Sequence, residues 1–371
     1  MIRSLEVLCH LDPRFGGVAV TVPTLAHALQ STDKVQARVL GFIEKNERLD
    51  HNGTSVETMP LGLWAWTDRR RWDILNESIQ TADVVHVHGL WHPLLLQVIR
   101  VARALDRRVV VSPHGMLDPW ALAHRRWKKQ LVSAVAQRRL LAHVDCVRAL
   151  TRQEAECVRD YGGSRQIAII PNGISEPPGK PALILPKCLK ELHGRPIVLF
   201  LGRIHRKKGI QLLLEAWPSL LSAVPNATLV LAGPDEEHLM RNLPLPPNCI
   251  WVGPVSADER WTLLSSADAF VLPSYSEGFS IAVLEALSVG LRTVITEQCN
   301  FPEVAQHQAG WVIQPKRDQL VSALTEALTQ PPDKRVASER QARKLATSYA
   351  QGSIALEMAN LYHALVSNGS N

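Results

Sequence analysis

The sequence predicts an α/β protein with two doubly wound parallel sheets, and three observations support this prediction. Short apolar runs rich in β-branched residues alternate with longer helical patterns along the whole chain. The runs are continuously apolar rather than alternating, which is typical of strands covered by helices on both faces. The chain has 371 residues, enough for two domains of ordinary size.

Six strands are predicted in each half of the chain. Those of the first half are Leu5–Leu11, Val35–Phe42, Asp83–His88, Arg108–Ser112, Val144–Leu150 and Ile167–Pro171. Those of the second half are Ile197–Leu201, Thr228–Ala232, Ile250–Val252, Ala269–Leu272, Arg292–Ile295 and Trp311–Ile313. Two such domains are expected to face each other across a cleft lined by strand-to-helix loops.

A proline-rich segment, EPPGKPALILPK at Glu176–Lys187, separates the two halves. Its four prolines and one glycine disfavour regular structure. We therefore predict domains at 1–175 and 195–352, joined by a linker at 176–194. The stretch 353–371 is helical by pattern, and packing back on the first domain is one arrangement open to it.

The formal net charge of +6 and the pI of about 9.1 favour anionic partners: phosphates, nucleic acid or a membrane surface. The six cysteines form no C-x-x-C pair, so we expect reduced thiols in a cytoplasmic protein. The chain shows no signal-peptide pattern and no apolar run near the ~18 residues of a spanning helix. Membrane contact would therefore be peripheral.

A basic loop, GRIHRKKG at Gly202–Gly209, follows the predicted strand Ile197–Leu201. Arginine offers a planar fork to phosphate oxygens and lysine a mobile point charge, so Arg203 and Lys208 are candidate phosphate ligands. Ligands of open α/β sheets bind beyond the carboxyl ends of the strands, which favours a phosphate site over an ordinary solvated loop.

The segment SEGFSIAVLEALSVG at Ser276–Gly290 also follows a predicted strand. Gly278, Phe279 and Ser280 fall where a helix begins, and free N–H groups there would favour a phosphate. Glu285 lies among apolar neighbours, where a buried carboxylate needs hydrogen-bond donors such as ribose hydroxyls. The alternative is an exposed glutamate on an ordinary helix.

Two weaker signals lie in the first half. Gly16 and Gly17, in RFGGVAV, allow close backbone approach to a ligand, although tight turns use such pairs routinely. The pattern is not G-x-G-x-x-G, which argues against a Rossmann dehydrogenase. His114 follows a predicted strand in SPHG, but an isolated histidine is more often structural.

Metal chemistry is not expected. His86 and His88, in HVHGLWH with His92, share one face of a predicted strand and could form a ligand pair. No suitably spaced carboxylate or cysteine completes the set in the sequence. Because no Asp-x-Asp occurs either, the charge of a diphosphate would be met by Arg203, Lys208 and the helix terminus.

Together these motifs resemble the retaining glycosyltransferases of family 4, which have the GT-B fold of two Rossmann-like domains. The resemblance rests on Glu277 and Glu285 with seven residues between them, preceded by the Arg203–Lys208 loop. It covers essentially the whole chain and includes three further motifs: PNGI at Pro171–Ile174, AGPDEE at Ala232–Glu237 and SPHGML at Ser112–Leu117.

The resemblance implies a role for each matching residue. Arg203 and Lys208 would bind the donor diphosphate, and Glu285 the nucleotide ribose. Glu277 and the backbone of residues 278–280 would contact the donor sugar and phosphate. The loop with Gly16 and Gly17 would line the cleft. His114 would contact the donor sugar near the reacting carbon and would not act as a general base.

The resemblance further implies metal-independent transfer from a UDP- or GDP-sugar to a saccharide or lipid-linked acceptor, in bacterial surface polysaccharide synthesis, with no cofactor. A nucleotide-sugar epimerase or a sugar phosphorylase of the same fold is an alternative. A nucleic-acid-binding protein is disfavoured because the sequence contains no recognised binding motif.

A basic segment is compatible with peripheral binding to the cytoplasmic face of an anionic membrane. A solvated helix face is an equally open interpretation. The segment lies on a predicted helix, and a cluster of arginines and tryptophans upstream is a candidate for the same surface. The residues concerned are Arg125, Arg126, Lys128, Lys129, Arg138, Arg139, Arg69, Arg70, Arg71, Trp64, Trp66 and Trp72.

Overall fold

The computed structural model describes residues 1–11, 17–43, 56–60, 69–124, 137–164, 166–178 and 194–368. These residues form two compact units. The first is Met1–Gly173 with Gln351–Asn371, and the second is Ile174–Ala350. The predicted linker at 176–194 falls at the start of the second unit, and its central part, 179–193, lies outside the described residues.

The first unit contains a seven-stranded sheet in the order β3-β2-β1-β4-β5-β6-β7, with every neighbouring pair parallel. Its strands are β1 Ile2–Leu8, β2 Val35–Ile43, β3 Val56–Pro60, β4 Val84–His88, β5 Arg108–Ser112, β6 Cys146–Ala149 and β7 Ile167–Ile169. Its helices are Val18–Gln30, Arg69–Gln80, Pro93–Ala104, Pro119–His124, Arg152–Tyr161 and Gln351–Ser367.

The predicted six strands of the first half omitted β3, which has the sequence VETMP. This strand pairs only with β2 and forms the edge of the sheet. An edge strand does not need the continuous apolar run of a central parallel strand, so it lacks the pattern used to find the others.

The second unit contains a six-stranded parallel sheet in the order β10-β9-β8-β11-β12-β13. Its strands are β8 Ile197–Leu201, β9 Thr228–Ala232, β10 Cys249–Gly253, β11 Ala269–Leu272, β12 Arg292–Thr296 and β13 Gly310–Ile313. Its helices are Ile210–Ala223, Ala257–Ser266, Ile281–Ser288, Glu303–Gln306, Arg317–Thr329 and Pro332–Thr347. The predicted fold class, two doubly wound parallel sheets, is confirmed.

The two faces of the first sheet carry different chemistry. Along β4, Val85 and Val87 pack in the core on one face, beneath the helices Arg69–Gln80 and Pro93–Ala104. Successive strand residues point to opposite faces, so His86 and His88 lie on the other face. That face is covered by the helices Val18–Gln30 and Gln351–Ser367, which contact each other.

Within the described ranges, no helix combines the length and apolar character needed to cross a bilayer. Most of the basic segment with Arg125 and Lys129 lies outside those ranges, as do Trp64 and Trp66. The five described cysteines are free thiols: Cys9, Cys146, Cys157, Cys249 and Cys299.

Candidate active site

The second sheet reverses its strand order between β8 and β11, and the loops that follow these two strands carry the candidate phosphate ligands. Open α/β sheets bind ligands at this kind of reversal, beyond the carboxyl ends of the strands. The loop after β8 contains Arg203 and Lys208, and the loop after β11 leads to Glu277.

An ion pair joins these two loops. Nζ of Lys208 lies 2.6 Å from Oε1 of Glu277, and the hydroxyl of Ser274 donates to the same oxygen at 2.5 Å. Burial alone would raise the pKa of Glu277, but the charge of Lys208 and these hydrogen bonds hold it below its ordinary value. Glu277 is therefore a carboxylate whose Oε1 atom is committed to two donors.

Gly209 allows the two loops to approach. Its φ of +71° lies in the left-handed region, and a Cβ placed there would come within 2.0 Å of the carbonyl oxygen of Pro273. Only glycine fits this combination of backbone conformation and close contact. The loop after β8 can therefore lie directly against the loop after β11.

Arg203 has a carboxylate partner. Its Nη1 donates to Glu236 at 2.9 Å, and Glu237 in the same AGPDEE motif lies 3.3 Å from Nε2 of His205. The side chain of Arg203 remains 44% exposed, so its guanidinium is still accessible to an anion. The basic loop is thus neither free nor buried, because acidic residues beyond β9 hold it in place.

The helix Ile281–Ser288 begins where the sequence predicts, with Ser280 at its N-cap. Ser280 makes no side-chain capping hydrogen bond, so no capping side chain covers the first N–H groups. Two buried polar atoms nearby, Oγ of Ser276 and Oε1 of Gln298, have no hydrogen-bond partner among the described residues. Unsatisfied buried polar atoms are rare in proteins.

Glu285 is buried within this helix, at 5% exposure, so the alternative of an exposed glutamate is wrong. Its Oε1 lies 3.2 Å from Nη1 of Arg260, a partner that the sequence did not indicate. Burial raises the pKa of Glu285 to about 7 despite the charge of Arg260. Nε of Arg260 is buried and unpaired among the described residues.

In the first unit, His114 follows β5 in a turn, with a φ of +53°. Its Nε2 lies 3.0 Å from Nδ1 of His88, and the residue as a whole is partly buried. The backbone N–H of the next residue, Gly115, donates to Glu154. Burial is the main cause that lowers the pKa of His114 well below its ordinary value, and the charge of Arg148 adds to it.

The expectation that no carboxylate completes a set with His86 and His88 is wrong. Glu6 lies on the adjacent strand β1, and its Oε2 is 3.0 Å from Nδ1 of His86 and 2.9 Å from Nε2 of His88. One ligand atom from each of the three lies within 4.8 Å of the others. Sequence spacing missed Glu6 because parallel neighbours in this fold are far apart in the chain.

This cluster is already satisfied by hydrogen bonds. Glu6 also accepts from Ser4 and Tyr362, each at 2.9 Å, and His86 contacts the hydroxyl of Ser112 at 2.8 Å. An ion would have to displace several of these bonds. His92, the third histidine of the motif, accepts from the N–H of Leu94 and caps the helix Pro93–Ala104.

Two further charged residues are buried in the first unit, and the sequence did not single them out. Glu154 accepts from the N–H groups of Gly115 and Leu150 and so ties the His114 turn to the helix Arg152–Tyr161. The spacing of Thr151 and Glu154 matches a helix start, which was the available signal. Arg148 is 1% exposed and donates to the carbonyls of Ile170 and Pro171, and no sequence pattern indicates this.

Gly17 stands at the start of the helix Val18–Gln30, and a Cβ placed on it would meet nothing within 4 Å. Its φ of −59° is ordinary for any residue, so the backbone does not require glycine there. Gly16 lies outside the described residues.

Two family models match this chain. The family described as glycosyl transferases group 1 matches residues 186–345, and the glycosyl transferase 4-like domain matches residues 16–173. The solved structure of Anabaena HepE in complex with UDP-glucose superposes with a TM-score of 0.79 at 17% identity, covering 98% of this chain and 100% of that one. This likeness is one of fold.

Two curated relatives are more similar in sequence. The phosphatidylinositol N-acetylglucosaminyltransferase gpi3 subunit of Schizosaccharomyces pombe is 23% identical over 80% of this chain and 64% of its own length. The GDP-mannose:cellobiosyl-diphosphopolyprenol alpha-mannosyltransferase of Xanthomonas oryzae is 24% identical over 87% of this chain and 85% of its own. The match thus spans less than two thirds of the Schizosaccharomyces protein.

The two parallel sheets and their structural relatives define a GT-B protein. Within that class, the chain belongs to the group 1 glycosyltransferases, also called family 4.

Proposed function

We propose that this protein is a retaining, metal-independent glycosyltransferase that moves a sugar from a nucleotide-sugar donor to a saccharide or lipid-linked acceptor. The observation that carries the proposal is the Lys208–Glu277 ion pair between the loops after β8 and β11. The pair brings a cation and a carboxylate side by side at the point where the strand order reverses, and we assign sugar binding to that carboxylate.

The second unit would bind the donor diphosphate through Arg203, Lys208 and the N-terminus of the helix Ile281–Ser288. In this proposal Lys208 turns from Glu277 towards the phosphate oxygens, and Glu277 then accepts hydrogen bonds from the donor sugar. The backbone of Gly278, Phe279 and Ser280 would supply N–H groups to the phosphate. Glu285 would accept from the ribose.

These groups would stabilise the charge that develops on the leaving diphosphate, in place of a metal ion. The bond between the anomeric carbon and the phosphate oxygen breaks, and the bond to the acceptor oxygen forms on the same face. The acceptor proton passes to the leaving phosphate. The resemblance to the retaining family 4 enzymes supports a route without a protein nucleophile.

His114 would contact the sugar near the reacting carbon. Its lowered pKa keeps the imidazole neutral, so it would take part as a hydrogen-bonding group and not as an acid. Gly16 and Gly17 would lie close to the substrate.

The donor is proposed to be a UDP- or GDP-sugar, on the strength of the GDP-mannose relative in Xanthomonas and the UDP-glucose complex of Anabaena HepE. Thermal unfolding of the full chain with UDP-glucose, GDP-mannose or ADP-glucose tests this. A donor at 100 times its Kd stabilises the native state by about 2.7 kcal/mol. A chain that is stabilised by none of the three, and that releases no nucleoside diphosphate from them, would contradict the proposal.

A transferase and the alternatives of the same fold differ in what they release. The transferase liberates nucleoside diphosphate in proportion to acceptor, an epimerase liberates none, and a phosphorylase consumes inorganic phosphate. Repeating the assay with EDTA tests metal independence, because a metal-dependent enzyme would lose its turnover.

The acceptor is proposed to be an intermediate of bacterial surface polysaccharide, reached at the cytoplasmic face of the inner membrane. The lipid-linked acceptor named for the Xanthomonas relative supports this assignment. Co-sedimentation with vesicles of anionic and of zwitterionic lipid tests the membrane contact. Equal binding to both vesicle types would argue against an electrostatic membrane surface.

A further inference from the structure

Three side chains of the first unit, those of Glu6, His88 and His114, are joined by hydrogen bonds in series. Glu6 on β1 contacts His88 on β4 at 2.9 Å, and His88 contacts His114 after β5 at 3.0 Å. Glu6 and His88 are 0% and 2% exposed, whereas His114 is only partly buried. These hydrogen bonds thus link a fully buried carboxylate to a partly buried histidine.

Hydrogen-bond chemistry assigns the protons along this series. Burial would raise the pKa of Glu6, but its interactions with His86 and His88 hold that pKa below the ordinary value, so Glu6 is ionised. A carboxylate only accepts, so His88 must donate through Nε2. A neutral imidazole carries one N–H, which leaves Nδ1 of His88 as an acceptor. The proton between His88 and His114 therefore belongs to Nε2 of His114.

The surroundings keep His88 neutral. Burial, aided by the nearby positive charge of Arg148, lowers the pKa of His88 to about 3 in spite of its contact with Glu6. The positive charge of Arg148 also lowers the pKa of His114, so His114 does not take up a second proton. An imidazolium at either position would place a further positive charge beside a buried guanidinium, so each ring carries a single proton.

Glu6 is held in its orientation by two donors on its other oxygen. The hydroxyls of Ser4 and Tyr362 both donate to Oε1 at 2.9 Å, which directs Oε2 towards the histidines. Tyr362 reaches this position from the helix Gln351–Ser367, the last helix of the chain. The carboxylate cannot rotate without breaking these bonds.

We propose that Glu6 and His88 are positioning residues that hold His114 in its Nε2–H tautomer, so that Nδ1 of His114 accepts a hydrogen bond from a hydroxyl group of the sugar substrate. Nδ1 has no hydrogen-bond partner among the residues that the structure describes. The turn that presents it is fixed by the bond from Gly115 to Glu154. The identity of the ligand rests on the proposed function, but the tautomer does not.

The logic matches that of hydrolase triads, in which a buried carboxylate sets the tautomer of a histidine. Here the imidazole of His88 lies between the carboxylate of Glu6 and His114, so Glu6 sets the tautomer of His114 through His88. A hydroxyl group can donate to a bare imidazole nitrogen but would find no acceptor in the opposite tautomer. The arrangement therefore selects a ligand group that can donate a hydrogen bond to Nδ1 of His114, such as a sugar hydroxyl. A carbonyl or phosphate oxygen cannot donate and is disfavoured there.

The test is nitrogen NMR of the full chain labelled at its histidines, with His114 assigned through loss of its signals in His114→Gln. Protonated and bare imidazole nitrogens resonate far apart, so the spectrum reports the tautomer without any substrate. The wild-type protein is expected to show a protonated Nε2 and a bare Nδ1 at His114. A protonated Nδ1 in the wild-type protein would overturn the proposal, and this measurement needs no variant to fold.

Glu6→Gln gives a directional second test. The hydroxyls of Ser4 and Tyr362 both donate to Oε1 in the wild type, so we expect the amide oxygen to take the place of Oε1 and the NH₂ group to face His88. His88 must then accept at Nε2 and donate from Nδ1, which moves the proton of His114 to its own Nδ1. Tyr362→Phe is the matched control, because it removes one hydrogen bond from Glu6 but keeps the carboxylate, and His114 should stay Nε2–H.

Three further outcomes bear on the assignment. A folded Glu6→Gln protein whose His114 tautomer is unchanged would overturn the proposal that Glu6 and His88 fix this tautomer. Stoichiometric metal in the purified chain, together with His88 resonances that move on chelation, would also overturn it, because a metal would occupy Nε2 of His88. With a donor that the wild type turns over, Glu6→Gln is expected to lower kcat/KM roughly 10- to 100-fold, the loss expected when a buried hydrogen-bonding group is left unpaired.

The readouts separate the two proposals. The expected tautomers in a protein that turns over no nucleotide sugar would contradict the proposed function alone. Normal turnover in a Glu6→Gln protein with a reversed His114 would contradict the role of Nδ1 alone.

Discussion

The ammonium group of Lys208 lies 2.6 Å from a carboxylate oxygen of Glu277, although the two residues are 69 positions apart in the chain. Their side chains are 17% and 9% exposed. Each therefore depends on the other for compensation of its charge, since an unpaired buried ion is strongly destabilising. A diphosphate that binds Lys208 would replace one anionic partner with another.

Replacing Lys208 with alanine should lower donor turnover roughly 10²- to 10³-fold, the loss typical of a group that stabilises developing negative charge. Stability should also fall, because Glu277 keeps a buried charge without its cation. The double variant Lys208→Ala/Glu277→Gln should recover stability but not turnover. Arg206→Ala is the control, since Arg206 is exposed on the same loop. Wild-type turnover in Lys208→Ala would refute the diphosphate site.

The stability of the second unit should depend on pH through Glu285. Burial raises its pKa from 4.5 to about 7, so the folded state holds the proton more tightly than the unfolded state. The stability from this group is full below pH 4.5 and is lost as pH rises through 7. A shift of that size corresponds to about 3 kcal/mol.

Glu285→Gln removes this dependence. The variant should match the wild type near pH 4.5 in calorimetric unfolding of the full chain and exceed it at pH 8, while donor affinity falls. Glu215→Gln, on an exposed helix position of the same unit, should follow the wild type at both values. If the Glu285→Gln and wild-type unfolding temperatures coincide at pH 8, the raised pKa is wrong.

The two sheets could be predicted from sequence because buried parallel strands form continuous apolar runs. The residues that follow those strands could be located for the same reason. Arg203, Lys208 and Glu277 were found through their position after such runs. Glu6 and Tyr362 could not be found in this way. Each looks ordinary in its own element, and only the pairing of β1 with β4 and the return of the last helix bring them to His86. Arg260 was missed for the same reason.

Glu154 should control the His114 turn without contacting a substrate. Its two oxygens accept from the N–H groups of Gly115 and Leu150, so a glutamine must turn its NH₂ group towards one of these donors. Glu154→Gln should reduce stability by about 1–3 kcal/mol and lower turnover as the turn loosens. Glu156→Gln, exposed on the same helix, is the control. Unchanged stability and turnover in Glu154→Gln would show that the turn holds without this carboxylate.

Two glycines should respond to alanine in opposite ways. Gly209→Ala places a Cβ within 2.0 Å of the Pro273 carbonyl at a φ of +71°, so the loops must separate and donor binding should be lost along with stability. Gly17→Ala meets nothing within 4 Å and has helical backbone angles, so the fold should be kept or gain about 0.4–1 kcal/mol.

The same Gly17 variant tests the predicted role of its loop. If the loop lies against the substrate, the added methyl group should weaken binding or turnover of the donor while the unfolding temperature stays the same or rises. Full activity in Gly17→Ala would place the ligand away from residue 17. Loss of stability would instead mean that protein fills the space beside Gly17, since the described neighbours leave it open. Measuring both properties on one variant therefore separates contact with a ligand from a role in folding.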